Sequence, residues 1–101
     1  MKVLIIGGTG QISRIISRLF LQAGEDLTLY HRGSTPLSAL TGYQSILGDR
    51  QDFASFEGQM NAAGAFDCVI DMVCYKPEEA ESLVRAFSGR IGQLILCSSA
   101  A

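Results

Sequence analysis

Short apolar runs and amphipathic stretches alternate along the whole chain. Lys2 to Ile6 is almost wholly apolar and has the length of a buried strand. From about Gly10 to Ala23, Ile12, Ile15, Ile16, Leu19 and Phe20 recur at intervals of three and four. That spacing predicts a helix with these residues on its buried stripe and Arg14, Ser17, Arg18 and Gln22 facing away. Gly24 is placed to stop it. Leu27 to His31 predicts a second strand. Gly33 to Tyr43 has the composition of a loop, with Gly-Ser-Thr-Pro in its first half and Thr41-Gly42 near its end. Gln44 to Leu47 predicts a short third strand that ends at Gly48-Asp49. Asp52 is placed to cap a helix that turns Phe53, Phe56 and Met60 to the core, with Gly64 punctuating it. Phe66 to Val73 is apolar apart from Asp67 and Asp71, as suits a central parallel strand covered on both faces. Pro77 opens a third helix, Glu78, Glu79 and Glu81 load its first turn, and Gly89 ends it. Its buried stripe is expected to be Ala80, Leu83, Val84 and Phe87. Gln93 to Cys97 reads as a fifth strand.

Strands that alternate with helices predict βαβ units and a parallel sheet. The chain has 101 residues, enough for one small domain, and 48% of them are hydrophobic, enough for a core. Its formal charge of −2 gives no electrostatic footprint for nucleic acid or a membrane surface, so neither is expected as a partner. No apolar run approaches the ~20 residues that span a bilayer. The run after Met1-Lys2 is too short for a signal peptide and stops at Gly7-Gly8-Thr9-Gly10. Cys68, Cys74 and Cys97 form no CxxC pair and no zinc spacing, so no metal site is expected. They read as buried reduced thiols, which points to a reducing, cytoplasmic setting.

The first strand runs straight into Gly7-Gly8-Thr9-Gly10, and a helix follows at once. Such a turn brings backbone N–H groups and a helix N-terminus to one point, which suits the diphosphate of a dinucleotide. The spacing Gly7-x-x-Gly10-x-x-Ser13 resembles the G-x-x-G-x-x-G turn of the extended short-chain dehydrogenase/reductase family, whose members often read GGTGFIG here. Ser13 departs from the last glycine of that pattern, at a point where small size matters for helix–strand packing. The resemblance implies a Rossmann-type, doubly wound α/β fold with five parallel strands in the order 3-2-1-4-5. It implies NAD-dependent epimerase/dehydratase or reductase chemistry, nucleotide-sugars being the commonest substrate class. The glycine turn, the tip of the second strand and the resemblance together give the expected cofactor contacts: Gly7, Gly8, Thr9, Gly10, Gln11, Ile12, His31, Arg32, Asp49, Arg50, Val73 and Cys74.

The tip of the second strand selects between cofactors. An acid there would hold the ribose 2′-OH of NAD, whereas an Arg accommodates the 2′-phosphate of NADP. Here the tip is Tyr30-His31-Arg32-Gly33, with no acid, and Asp26 lies at the wrong end of the strand. NADP is therefore expected over NAD; the competing reading makes Arg32 a solvated loop charge. His31 is the single histidine and either stacks on adenine or lines the 2′-phosphate. Asp49 has two readings, acceptor for the adenine amino group by resemblance or local capping beside Asp52. Asp71, ionisable within an apolar strand, requires a partner or a place at the strand's carboxyl end.

Leu94 to Ala100 resembles the family's fifth strand, and Ser99 then corresponds to its catalytic Ser/Thr. The family's general acid/base, a Tyr-x-x-x-Lys pair, has no counterpart in these residues; Tyr75-Lys76 has the wrong spacing. The domain is thus expected to be the N-terminal part of a longer enzyme, incomplete at its C-terminus and lacking the substrate domain. Such a fragment would bind cofactor without turnover, and its open fifth-strand edge would invite self-association. The alternative is a non-catalytic NADP-sensing module of the same fold.

Overall fold

The computed structural model describes residues 1–7, 11–33, 42–73, 76–87, 89 and 91–96. The elements in chain order are β1 (Lys2–Ile6), α1 (Gln11–Gln22), β2 (Asp26–His31), β3 (Gln44–Leu47), α2 (Phe53–Ala63), β4 (Phe66–Asp71), α3 (Pro77–Phe87) and β5 (Ile91–Leu96). β3, β2, β1 and β4 form a parallel sheet in that order, and β5 runs beside β4. Register pairs Ile6 with Tyr30 on one side and with Asp71 on the other, so these strands end together at one carboxyl edge. β4 is two residues shorter than its apolar run suggests, because the chain leaves the sheet after Asp71.

Period-two alternation divides the side chains between two cores. Val3, Ile5, Leu27, Leu29, Cys68 and Ile70 form one, covered by Ile16, Phe20 and Leu21 of α1. Leu4, Ile6, Tyr30 and Val69 turn the other way, onto Phe56 and Met60 of α2 and Leu83, Ala86 and Phe87 of α3. Helices thus lie on both sheet faces, the doubly wound arrangement. Each fully buried aliphatic side chain stabilises by about 1.5–3 kcal/mol relative to exposure. Tyr30, Phe56, Phe66 and Phe87 stack edge to face along the second core, with ring centroids 5.2 to 6.5 Å apart.

Both outer helices are rotated relative to the stripes their spacing predicts. In α1, Ile15 and Leu19 are 53% and 59% exposed, whereas Ser17 is fully buried. The contact face is therefore Ile16, Ser17, Phe20 and Leu21, centred on a small residue that lets the helix lie close to the strands. In α3, Val84 is exposed, and Glu79, Ser82 and Ala86 are buried with Leu83 and Phe87. In α2, Phe56 and Met60 are buried as expected, and Phe53 is half-buried. Asp52 caps this helix by accepting from the Ser55 amide at 3.3 Å.

Gly48 follows β3 where the Tyr30 side chain passes underneath. The Tyr30 hydroxyl donates to Gln59 Oε1 at 2.9 Å, and Gln59 Nε2 donates to the Leu47 carbonyl at 2.7 Å. A Cβ on Gly48 would collide with both the Tyr30 hydroxyl and Gln59 Oε1. Burial pushes the Tyr30 phenol up from its ordinary value, and Asp49 adds to that while Arg50 opposes it. Gly48→Ala is expected to destabilise the domain by about 1–3 kcal/mol through overpacking. A urea midpoint equal to that of the wild type would show that the Tyr30–Gln59 pair can yield.

On the surface α2 and α3 are joined by Glu57, which accepts from Arg85 Nε and Nη2 at 3.1 and 3.2 Å and from Ser82 Oγ at 2.7 Å. Arg85, and then Ser82, hold the Glu57 carboxyl below its ordinary 4.5. A depressed carboxylate stabilises the fold above its unfolded value, and that contribution disappears as pH falls through the lower folded value. Glu57→Gln is expected to flatten the fall in stability below pH 4.5, read from urea midpoints taken across an acid series.

Candidate dinucleotide site at the carboxyl edge of the sheet

β1 lies between β2 and β4, so the chain leaves its carboxyl end in one direction and later returns to its other side. In open parallel sheets a cleft forms at that reversal, and ligands bind there. Gly7 sits at its mouth with φ +81°, a left-handed conformation that a side chain strains. Its amide donates to the Tyr30 carbonyl at 2.8 Å, and a Cβ at this position would lie 2.7 Å from Val73 Cγ1. Glycine is thus required twice, by the backbone angle and by the approach of Val73.

The neighbouring strand exits are stitched by backbone bonds. The Met72 amide donates to the Ile6 carbonyl and the Gly48 amide to the His31 carbonyl, both at 3.0 Å. Gly7, Met72, Val73, His31 and Gly48 therefore converge on one edge. Gly8, Thr9, Gly10, Cys74 and Ser99 lie outside the described residues. Gln11 and Ile12 are placed as the first residues of α1.

At the tip of β2, His31 accepts the Gly33 amide on Nδ1 at 3.0 Å, and its Nε2 lies 3.3 Å from Ser45 Oγ. Its ring is held between the loop backbone and β3. Arg32 is exposed between these anchors. Asp49 is exposed and accepts the Gln51 amide on Oδ1 at 2.9 Å, a local turn contact. The helix cap itself belongs to Asp52. A carboxylate has about four lone-pair sites, so the turn does not exhaust Asp49.

Arg50, named with the cofactor contacts on sequence, is buried at 5% exposure. Its guanidinium lies 4.2 Å from the centre of the Phe56 ring. Nε and Nη2 donate to Asp71 Oδ2 at 3.2 and 3.1 Å, and Nη2 also donates to the Glu79 carbonyl. Asp71, fully buried, is thereby given the partner that its place in an apolar strand requires, and its Oδ1 accepts the Val73 amide at 3.0 Å. Burial pushes the Asp71 carboxyl up from its ordinary value, against the pull of the Val73 amide and Arg50. Glu79 continues the network, with Oε1 accepting the Lys76 amide at 2.8 Å and Oε2 accepting from Gln51 Nε2. Sequence reasoning placed Glu79 only among the first-turn acids of α3 and did not single out Gln51. The available signal was a second acid, Glu79, on the apolar side of α3.

Removing one member of a buried ion pair strands the other. Arg50→Met is expected to cost about 3–5 kcal/mol, and Arg50→Met combined with Asp71→Leu to recover most of that loss. Urea unfolding of the single and double variants checks this. A double variant as unstable as the single one would show that the pair is irreplaceable for folding.

No group of acids, cysteines and histidines among the described residues could hold a metal ion. No helix among them is long and apolar enough to cross a membrane.

No protein-family model matches the chain. A protein of Arabidopsis thaliana named chloroplast stem-loop binding protein of 41 kDa b is 32% identical over 112 residues, covering 98% of this chain and 29% of its own length. UDP-glucose 4-epimerase from Bifidobacterium longum, solved with NAD+ and UDP, superposes with a TM-score of 0.79 at 21% identity, over 99% of this chain and 37% of its own. The Bordetella bronchiseptica enzyme WbmG, solved with NAD and UDP, gives 0.75 at 16% identity, over 95% of this chain and 36% of its own. The chain thus spans under a third of the curated relative and little over a third of these solved structures.

Proposed function

We propose that this chain is a member of the extended short-chain dehydrogenase/reductase family of NAD-dependent epimerases and dehydratases and that it binds a nicotinamide dinucleotide at the carboxyl ends of β1, β2 and β3. The observation that carries this reading is the reversal point itself. Gly7, in a left-handed conformation with no room for a side chain, opens the β1–α1 corner between β2 and β4. The diphosphate belongs over that corner, at Gly7, Gly8, Thr9, Gly10, Gln11 and Ile12, where amide hydrogens and the start of α1 favour negative charge. Val73 and Cys74 would pass along the cofactor after β4. Asp49 would accept from the adenine amino group.

Within this reading the cofactor is NADP. The solved neighbours hold NAD. The feature of this chain that favours the phosphorylated form is an exposed Arg32 at a β2 tip without an acid, beside His31. In the whole protein the reaction is hydride transfer, with a nucleotide-sugar as the substrate class suggested by neighbours solved with UDP. A bound nicotinamide would supply the hydride acceptor for the substrate carbon that bears the reacting hydroxyl. Ser99 is assigned to hydrogen-bond that hydroxyl. The tyrosine–lysine pair that serves as base in the family is not among these residues, so turnover is not assigned to this segment. A dinucleotide-sensing module shares every step up to binding.

A second reading comes from the Arabidopsis relative, named for binding a stem-loop. A net charge of −2 disfavours it.

Titration with NADP and with NAD tests the assignment. A charge-assisted bond of about 1.5–3 kcal/mol predicts NADP affinity roughly ten- to a hundred-fold above NAD affinity. Arg32→Ala is expected to remove that difference and leave NAD binding unchanged. Equal affinities in the wild type would overturn the NADP preference. Binding of neither dinucleotide, with retention of a stem-loop RNA at physiological salt, would transfer the assignment to the second reading.

A further inference from the structure

We propose that Arg50 is a positioning residue for the dinucleotide site: acting through Asp71, it sets Val73 against Gly7 and so fixes the floor of the phosphate corner. The proposal rests on the dinucleotide-binding reading above.

The buried Asp71 carboxylate is divided between two tasks. Oδ2 takes Arg50 Nε and Nη2, and Oδ1 takes the amide of Val73. Val73 is the residue whose Cγ1 occupies the space in front of Gly7. A continuous line of contacts therefore runs from the guanidinium through the carboxylate and the Val73 amide to the corner where the diphosphate is assigned. Asp71 pairs with Ile6 in the sheet, one residue before Gly7, so any rotation of its side chain is felt beside that corner.

Arg50 is itself held from several sides. Its plane lies on Phe56, and Nη2 bonds the Glu79 carbonyl. Glu79 in turn accepts from the Lys76 amide and from Gln51. The chain leaving β4 is thereby anchored at Val73 and again at Lys76, and both anchors lead back to Gln51 and Arg50 after β3. The two segments bordering the cleft are bound as one unit. Direct contact of Arg50 with a ligand does not explain this arrangement, because the side chain is buried.

Stability does not explain it either. Apolar residues of similar volume often replace a buried ion pair without loss. Arg50 also leaves Nη1 buried with no hydrogen-bond partner among the described residues, a cost that an apolar side chain would avoid. What the charged pair supplies and an apolar pair cannot is direction: a carboxylate held in one orientation, with one oxygen aimed at the Val73 amide.

The test compares the wild type, the Arg50→Met/Asp71→Leu double variant and Val73→Ala. Unfolding midpoints and dissociation constants for NADP and NAD are measured on each. The double variant is expected to keep a near-wild-type midpoint while its dinucleotide affinity falls at least ten-fold. Val73→Ala is expected to lower affinity in the same direction. Wild-type affinity in a folded double variant overturns the positioning role and leaves the dinucleotide reading standing. Failure of the wild type to bind either dinucleotide overturns both. Should the double variant not fold, hydrogen exchange on the wild type decides. The Val73 and Lys76 amides are expected to open with a common protection factor and to be slowed by NADP by the same factor. Independent opening of the two amides overturns the proposal.

Discussion

At the carboxyl edge of the sheet, the backbone of Gly7 and the methyl groups of Val73 compete for the space of one side chain. The conflict is resolved by giving Gly7 none, and the rest of the site follows from that contact. Gly7 takes φ +81° as the chain leaves β1, and α1 begins at Gln11. Val73, two residues past the end of β4, closes on Gly7 and gives the corner a floor. The Val73 amide is held by Asp71, Asp71 by Arg50, and Arg50 by Phe56 and the Glu79 carbonyl. A local steric requirement at residue 7 is thus connected to α2 and α3 through buried polar groups.

The two faces of the sheet solve different problems. Under α1 the packing is aliphatic, with the small Ser17 letting the helix lie close. Under α2 and α3 the aromatic rings fill a deeper layer, and the buried charges collect at its carboxyl end. A cation in that layer is tolerable because an aromatic face, a carboxylate and a backbone carbonyl surround it. The same face carries Tyr30, whose hydroxyl requires Gln59 and thereby dictates a glycine at position 48. Gly48 and Gly7 are both glycines for reasons of space, imposed by side chains distant in sequence.

Much of the architecture was legible in the chain. β1, β3 and the start of α3 fall where apolar runs and Pro77 place them, because strand length and proline geometry are local properties. The turn at Gly7 was legible because a strand that leaves the sheet through a left-handed backbone angle draws on so few residue types. The faces of α1 and α3 were not. Spacing of three and four identifies a stripe, but Ile15 and Leu19 lie on one border of it and Leu21 on the other. Which border meets the sheet depends on the rotation of the helix about its axis, set by contacts with β2 and β4. Val84 was misplaced for the same reason. Arg50 follows Asp49 in a motif that resembles cofactor-binding segments, and nothing local distinguishes an arginine that turns outward from one that turns under Phe56.

The sequence by itself determined the alternation of strands and helices, the sharp exit from β1, the acid-free tip of β2 and the need of Asp71 for a partner. These depend on residues close together in the chain and on what each can do with its own backbone. Only the tertiary structure decided which partner Asp71 receives, why residue 48 must be glycine, and that Val73 bears on Gly7. Each of those is a contact between segments brought together by the sheet register, and register is a property of the assembled strands that no single segment contains.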